Sequence, residues 1–341
     1  MEKYYITTPI YYVNDKPHIG HAYTTILADT ISRFRALVGE KPTFLTGLDE
    51  HGLKVQQAAE KNGKAPQDHC DSMAPAFIDL WKKLNINYSD FIRTTEHRHT
   101  KIVQQILTKV HESGDIYMDE YEGWYSISEE RFITEKELDS GQFGEVKQIK
   151  EKNYFFRMSK YQATLIDKIE KDELLIQPKS RKNEVLGFLK NELSDLCISR
   201  PKSRLEWGIE LPFDDNYVTY VWFDALINYI SAIGAYSNDE HFSSLWPADV
   251  HLIGKDILTT HSVYWPTMLL SLGLPLPQRI FAHGWWLTDD QKMSKSLGNV
   301  VSPLMLIDDF GVDSVRYYLM SEMVLGMDAT FSSESFEKKY N

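Results

Sequence analysis

Between Tyr4 and Leu84 the chain alternates short strand-like runs with stretches of helical periodicity, and this alternation admits few folds. Tyr4 to Thr8 reads as a short buried strand and Pro9 to Pro17 as a loop, and from Ile19 the apolar positions Ile19, Tyr23, Ile26, Leu27, Phe34, Leu37 and Val38 recur at helical spacing. A second strand, Thr43 to Thr46, runs into Gly47-Leu48-Asp49-Glu50-His51-Gly52, and helical patterns follow over Leu53 to Lys61 and Met73 to Leu84. Strands that alternate with helices in this way predict a parallel α/β sheet, because a parallel neighbour needs a crossover long enough to hold a helix.

Between about Gly114 and Val218 the texture changes to mixed aromatic and charged residues broken by Pro178, Gly187 and Pro201, which reads as an insertion. The α/β pattern resumes with the apolar stretch Tyr220 to Ile233, a strand from Val250 to Ile253 ending at Gly254, and a helix beginning near Leu258. The expected division is therefore a first α/β half over 1–114, an insertion over 115–219, a second half over 220–283 and a closing α-rich segment over 284–341. That last segment ends, from Ser332, in what reads as the start of another helix, as in a fragment of a longer protein.

A net charge of −12 gives no overall attraction to polyanions, so a nucleic acid would need a local basic stripe. Lys179, Arg181, Lys182, Lys190, Arg200, Lys202 and Arg204 offer one, although Glu184, Glu192 and Asp195 among them fit a solvated surface equally well. Only two cysteines, Cys70 and Cys197, exclude a disulfide framework and a four-thiolate zinc site within one chain, and fit a reducing compartment. The N-terminal residues lack the pattern of a signal peptide, and no apolar run is long enough to span a bilayer, so the expected setting is the cytoplasm, away from membranes. Nothing specifies an oligomer, and a monomer is the expectation.

Two segments carry the chemistry. Pro17-His18-Ile19-Gly20-His21 lies where the first loop enters its helix, so backbone N–H groups and the positive end of the helix dipole favour an anion there. Gly20 lets a ligand approach the backbone, and His18 and His21, three residues apart, project from one side of the first turn. Alone, such a pair is more often a cap or a surface feature. Lys292-Met293-Ser294-Lys295-Ser296-Leu297-Gly298-Asn299 is a basic, hydroxyl-rich loop suited to polyphosphate, which alone reads at least as well as a solvated turn.

Together the two segments are far more specific, and the sequence resembles the class I aminoacyl-tRNA synthetases, whose two signatures it matches without a mismatch at His18-Ile19-Gly20-His21 and Lys292-Met293-Ser294-Lys295-Ser296. Thr8 to Asn14, Thr46 to Gly52, Tyr220 to Leu226 and Ile253 to Asp256 are similar to the methionine-specific branch of that family, and the resemblance covers nearly the whole chain. It implies a Rossmann-like parallel sheet split by a connective insertion, followed by a short α-rich segment that carries the lysine-serine loop. It also implies ATP as substrate, with Mg2+ accompanying it, and activation of L-methionine followed by transfer to tRNA(Met).

Carried over residue by residue, the resemblance makes His18, His21, Lys292 and Lys295 the catalytic groups, and Gly20, Gly254 and Asp256 further ATP contacts. Asp49 would hold the methionine ammonium group, with Tyr12 nearby, and Ile10, Trp222, Ala225, Leu226, Tyr229, His261 and Trp265 would form the side-chain pocket. Without the resemblance, Asp256 reads equally as a helix N-cap, and the aromatic stripe of Trp222 and Tyr229 reads as ordinary core.

The sequence departs from many relatives in Trp124-Tyr125-Ser126-Ile127-Ser128-Glu129-Glu130, where serines stand in place of zinc-binding cysteines. A neutral hydroxyl is a poor zinc ligand, so no structural zinc is expected, and packing around Trp124, Phe132, Phe155 and Phe156 is expected to hold the insertion. The insertion is also too short for a separate editing domain, which argues against the isoleucine, valine and leucine enzymes. The chain stops where an anticodon-reading domain would begin, so adenylate formation with little or no tRNA charging is the expectation. Three rival readings remain at this stage. One is another class I synthetase, such as the cysteine enzyme. Another is a metal-dependent hydrolase built on His18, His21, Asp49 and His51, and the last is a non-catalytic relative that binds RNA.

Overall fold

The computed structural model describes residues 2–126, 131–133, 138–139, 145–288, 291–292 and 301–340. The first half runs β1 (Lys3–Tyr12), α1 (Ile19–Leu37), β2 (Lys41–Asp49), α2 (Leu53–Lys61), α3 (Pro66–Lys83), β3 (Asp90–Arg93) and α4 (His97–Glu112). The middle comprises β4 (Ile116–Ser126), β5 (Arg131–Ile133), β6 (Val146–Phe156), α5 (Gln162–Glu170), β7 (Leu175–Gln177), α6 (Lys179–Phe188), β8 (Leu196–Cys197), β9 (Ser199–Pro201), β10 (Glu210–Leu211) and β11 (Asp214–Thr219). The remainder is α7 (Val221–Leu226), α8 (Asn228–Ser231), α9 (Asp239–Leu245), β12 (Val250–Gly254), α10 (Trp265–Leu272), β13 (Arg279–His283), β14 (Trp286–Thr288), β15 (Gln291–Lys292), α11 (Pro303–Phe310), α12 (Val312–Glu322), β16 (Ala329–Phe331) and α13 (Ser333–Tyr340).

Among the described residues the central sheet has six parallel strands in the order β3-β2-β1-β12-β13-β7. The chain leaves β1 toward one edge and returns at β12 on the other side, so the order reverses between these two strands. A crevice opens beyond their carboxyl ends, where open α/β sheets take ligands. Apolar clusters cover both faces of the sheet, one including Tyr5, Phe223, Tyr229 and Trp265, the other Ile6, Phe44, Phe77 and Trp81.

Two expectations are corrected and a third is filled in. The strand read as Tyr4 to Thr8 continues to Tyr12: the ladder with β2 breaks between Thr7 and Ile10 and resumes at Ile10 opposite Gly47. Pro9 has no N–H to donate, so the ladder skips it, and the irregularity re-aims Ile10 and Tyr12. The 115–219 stretch is not wholly an insertion, because Leu175–Gln177 pairs with β13 as the edge of the central sheet while β5-β4-β6-β8 form a separate antiparallel sheet. Three residues are too few for apolar alternation to reveal a strand; β7 exists because β13 has an open edge. The closing segment contains the sheet β15-β14-β16 besides its helices.

Phe34, Leu37 and Val38, read as part of the apolar stripe of α1, are exposed at 58%, 85% and 55%. Within the insertion, Phe155 and Phe156 are buried as expected and Trp124 is half-buried. The side chain of Phe132 and residues 127–130 lie outside the described residues. The basic stretch is largely neutralised: Arg181 pairs with Glu184, Lys182 with Asp172, Lys202 with Glu210 and Arg204 with Glu151. Arg200 is buried against the rings of Tyr125 and Tyr220. No helix among the described residues is long and apolar enough to cross a membrane.

Candidate active site

The crevice between the ends of β1 and β12 is a cavity of about 500 Å³. His18 caps α1 in extended backbone geometry, and its Nδ1 accepts the Gly20 N–H at 3.0 Å while His21 Nδ1 accepts the His18 N–H at 3.1 Å. The two rings stack with centroids 3.9 Å apart. These bonds settle the tautomers: with Nδ1 an acceptor on each ring, a neutral imidazole must carry its hydrogen on Nε2. Desolvation among Tyr11 and Phe77, and then the neighbouring His18, hold His21 well below the usual histidine range, so it is neutral at pH 7. The first turn of α1 thus presents imidazole N–H donors at the positive end of a helix dipole.

Gly20 is needed for a reason beyond ligand approach. A Cβ there would stand 2.9 Å from His18 Cε1 and 3.1 Å from its Nδ1, displacing the ring that caps the helix. At Gly254 a Cβ would stand 2.5 Å from Asp256 Oδ1, so the glycine seats the carboxylate that follows it. Asp256 lies in a short 3-10 turn, and its Oδ1 accepts the Trp285 Nε1–H at 3.1 Å.

Asp49 ends β2 directly opposite Tyr12 of β1, and both face the cavity. The opposite wall is helical, as the spacing of Trp222, Ala225, Leu226 and Tyr229 requires if they are to share a face. At its end, His261 Nδ1 lies 2.9 Å from the Ile257 carbonyl and must donate to it, so Nε2, 2.7 Å from Tyr229 Oη, accepts the phenolic hydrogen. Burial pushes the His261 pKa down to about 4, leaving an uncharged polar pair among aromatic surfaces.

The structure therefore brings His18, Gly20, His21, Gly254, Asp256, Ile10, Tyr12, Asp49, Trp222, Ala225, Leu226, Tyr229 and His261 around one cavity. Trp265 does not line it. Its indole is fully buried behind Tyr229, donating to His251 Nε2 at 3.1 Å, because a residue one turn after His261 points past the wall into the core. Lys295 lies outside the described residues, as does the side chain of Lys292. The backbone of Lys292 pairs with Leu287 in a hairpin that starts at the cavity-lining Trp286. Beyond the undescribed stretch, the Val301 carbonyl accepts the Ile19 N–H at 3.2 Å, so the polypeptide re-enters at the first turn of α1.

Sequence reasoning missed Asn14, Lys54, Asn228, His283, Trp285 and Trp286, which also line the cavity. His283 ends β13, the strand beside β12, so the rule that placed Asp256 applies to it too. Asn228 lies on the same helical wall as Trp222 but reads as an ordinary polar interruption in an apolar run.

Two of the rival readings find no support in the cavity. His51, needed for a metal-dependent hydrolase, bonds Asp224 instead and is not among the cavity-lining residues. Among the described residues no three His, Cys, Asp or Glu side chains are grouped to hold a metal. Neither cysteine lines the cavity, and burial pushes the Cys70 thiol up to about 12.

A family model described as tRNA synthetases class I (M) matches residues 4–142 and 139–341, and the chain belongs to that family. It is 52% identical over 344 residues to a methionine–tRNA ligase of Clostridium tetani and 48% identical over 355 residues to that of Bacillus subtilis, covering 99% of this chain in both cases. The chain spans about half, 53%, of the length of each of these curated relatives. A solved structure of Mycobacterium tuberculosis methionyl-tRNA synthetase in complex with methionyl-adenylate superposes with a TM-score of 0.96 at 42% identity, covering 100% of this chain and 68% of that one. The free-state structure of the Mycobacterium tuberculosis enzyme gives a TM-score of 0.81 at 39% identity, over 98% of this chain and 65% of that one.

Proposed function

We propose that this chain is the activating core of a methionine–tRNA ligase, which joins L-methionine to ATP as methionyl-adenylate and, in the whole protein, passes methionine to tRNA(Met). The observation that carries this reading is the meeting, in one cavity, of the anion-favouring first turn of α1 with a largely apolar slot that Asp49 also lines. Asp49 takes the methionine ammonium group. Ile10, Tyr12, Trp222, Ala225, Leu226 and Tyr229 enclose the thioether chain, with the neutral Tyr229–His261 pair at the end; a slot without net charge suits a polarisable sulfur.

A methionine carboxylate oxygen attacks the α-phosphorus of ATP; an O–P bond forms, the bond to the bridging oxygen breaks, and pyrophosphate leaves with the electron pair. The Nε2–H donors of His18 and His21, pre-set by the helix cap, meet negative charge as it grows on the phosphoryl oxygens. Asp256 accepts from the ribose hydroxyls, and Gly254 allows close approach of the nucleotide. Lys292 and Lys295 follow the charge onto departing pyrophosphate, a contribution larger in the transition state than in the bound substrate. Mg2+ would accompany ATP, held by its phosphate oxygens, and would offset the charge of the polyphosphate. The serine-bearing 124–130 segment supplies no thiolates, and the reading includes no structural zinc. The tRNA partner and a cytoplasmic setting belong to the same reading.

The deciding experiment is ATP–pyrophosphate exchange measured with each amino acid in turn. Exchange stimulated by methionine is expected; stimulation by another amino acid, or none, refutes the reading. Lys295→Ala is expected to lower the rate of exchange strongly while methionine binding, measured by equilibrium titration, stays near that of the unmodified chain. An equal loss of methionine affinity would overturn the role given to the lysine.

A further inference from the structure

We infer that a buried set of side chains, His51, Asp224, His99 and Ser231, is a positioning clamp that holds the wall of the methionine slot against the strand bearing Asp49. Asp224 is fully buried, with Oδ2 2.6 Å from His51 Nδ1 and Oδ1 2.7 Å from His99 Nε2, and His99 Nδ1 lies 2.7 Å from Ser231 Oγ. Four elements meet in it. His51 follows β2 two residues after Asp49, Asp224 sits in α7 between Trp222 and Ala225, His99 is in the first turn of α4, and Ser231 ends α8. None of the four side chains is among those lining the cavity.

The geometry points to positioning rather than general packing. The helix α7 has six residues, too few to be stable on its own, and a turn at Ile227 joins it to the four-residue α8. Apolar contacts hold such short helices close without fixing their rotation. A buried carboxylate with two directional partners does fix it, whereas an apolar residue of similar volume would stabilise the fold as well or better. The partners are held in turn. His51 packs on Trp207 at 5.3 Å between ring centroids, the Trp207 indole donates to the Glu50 carbonyl, and the Gly52 N–H donates to the Trp207 carbonyl at 3.1 Å. The clamp thus sets the distance from Asp49 to Trp222 and Ala225. The groups proposed for ATP stand on other elements: His18 and His21 on α1, Gly254 and Asp256 at the end of β12.

The inference rests on the methionine-activating reading, and its test separates the two. The KM values for methionine and for ATP, and the turnover, are measured by pyrophosphate exchange for His99→Ala, His99→Gln, His51→Ala and His51→Asn, each alongside its thermal unfolding midpoint. Loss of a positioned wall is expected to raise the methionine KM about tenfold or more in both alanine variants, with the ATP KM within about twofold of the unmodified chain. The Gln and Asn variants can each return an amide donor to Asp224, and are expected to recover most of the loss. Ser231→Ala leaves the Asp224 bonds in place and keeps the experiment decisive if an alanine variant does not fold; a rise in methionine KM of about two- to fivefold is expected, again without a change for ATP. Methionine and ATP KM values rising together, an unchanged methionine KM, or failure of the amide variants at a normal unfolding midpoint would overturn the clamp. Absence of methionine-stimulated exchange in the unmodified chain would instead refute the activating-core reading.

Discussion

Replacing Gly20 by alanine sets two opposing effects against each other at a helix N-terminus. Inside a helix, alanine is more stable than glycine by roughly 0.5–1 kcal/mol. Here the added Cβ would stand 2.9 Å from His18 Cε1 and 3.1 Å from its Nδ1, so the ring must turn away and give up the 3.0 Å bond from the Gly20 N–H. Losing a side-chain cap costs about 0.5–2 kcal/mol, of similar size with the opposite sign, so net stability is expected to change by no more than about 1.5 kcal/mol. Catalysis has no such offset. The displaced ring stacks on His21 at 3.9 Å and carries one of the two donors aimed at the cavity, so both shift together. A misplacement of about 1 Å in a positioned group can lower a rate about 100-fold. The assay is methionine-dependent pyrophosphate exchange at saturating ATP, with calorimetric unfolding as the control. A turnover lowered by roughly 30- to 100-fold at a nearly unchanged midpoint is expected. Turnover within about threefold of the unmodified chain would refute the role given to the His18 seat, since no displacement of the size required would then matter.

Three further outcomes follow from the site and its supports. Asp49→Asn would remove the charge-assisted bond proposed for the methionine ammonium group, worth about 1.5–3 kcal/mol, so the methionine KM is expected to rise by roughly 10- to 150-fold while the ATP KM moves little, as exchange kinetics would read. Trp265→Phe leaves His251 Nε2 without its buried indole donor and is expected to cost about 1–3 kcal/mol in denaturant unfolding; an unchanged midpoint would mean that the indole bond contributes nothing. For Asp224, burial alone would raise the carboxyl, but His51 and His99 outweigh it and bring the pKa from 3.8 down to about 2. Because the folded pKa is the lower one, the stabilisation, on the order of 2 kcal/mol, is present above about pH 4 and lost as pH falls toward 2. Urea midpoints of Asp224→Asn should depend less steeply on pH across that window; equal slopes would refute the assignment.

Much of this protein is legible in one dimension because its informative features are local. The periodicity from Ile19 and the turn at His18 to His21 belong to one strand, loop and helix unit, and the extent of α2 follows from its own residues, Leu53 to Lys61. The slot spacing of Trp222, Ala225, Leu226 and Tyr229 is likewise a property of one helical stretch. The chemistry expected at the lysine-serine loop came from its residue types together with the family resemblance, and the described residues add only where its two ends are tied.

Contacts between distant segments are what the sequence could not show. The three-residue strand β7 carries too short an alternation to be read and is created by the free edge of β13. Trp265 shares helical spacing with His261 but lies behind the slot, because its direction depends on how α10 packs against Tyr229 and His251. The His51–Asp224–His99 set joins residues 173 and 125 positions apart, and no local pattern marks it. The sequence by itself determined the alternation of elements and the two motif segments, His18 to His21 and Lys292 to Ser296, since these are set by neighbours along the chain. The tertiary structure alone decided which of those residues share a cavity, how Tyr229 pairs with His261 and what holds the wall in place, because long-range hydrogen bonds and burial are set by neighbours in space.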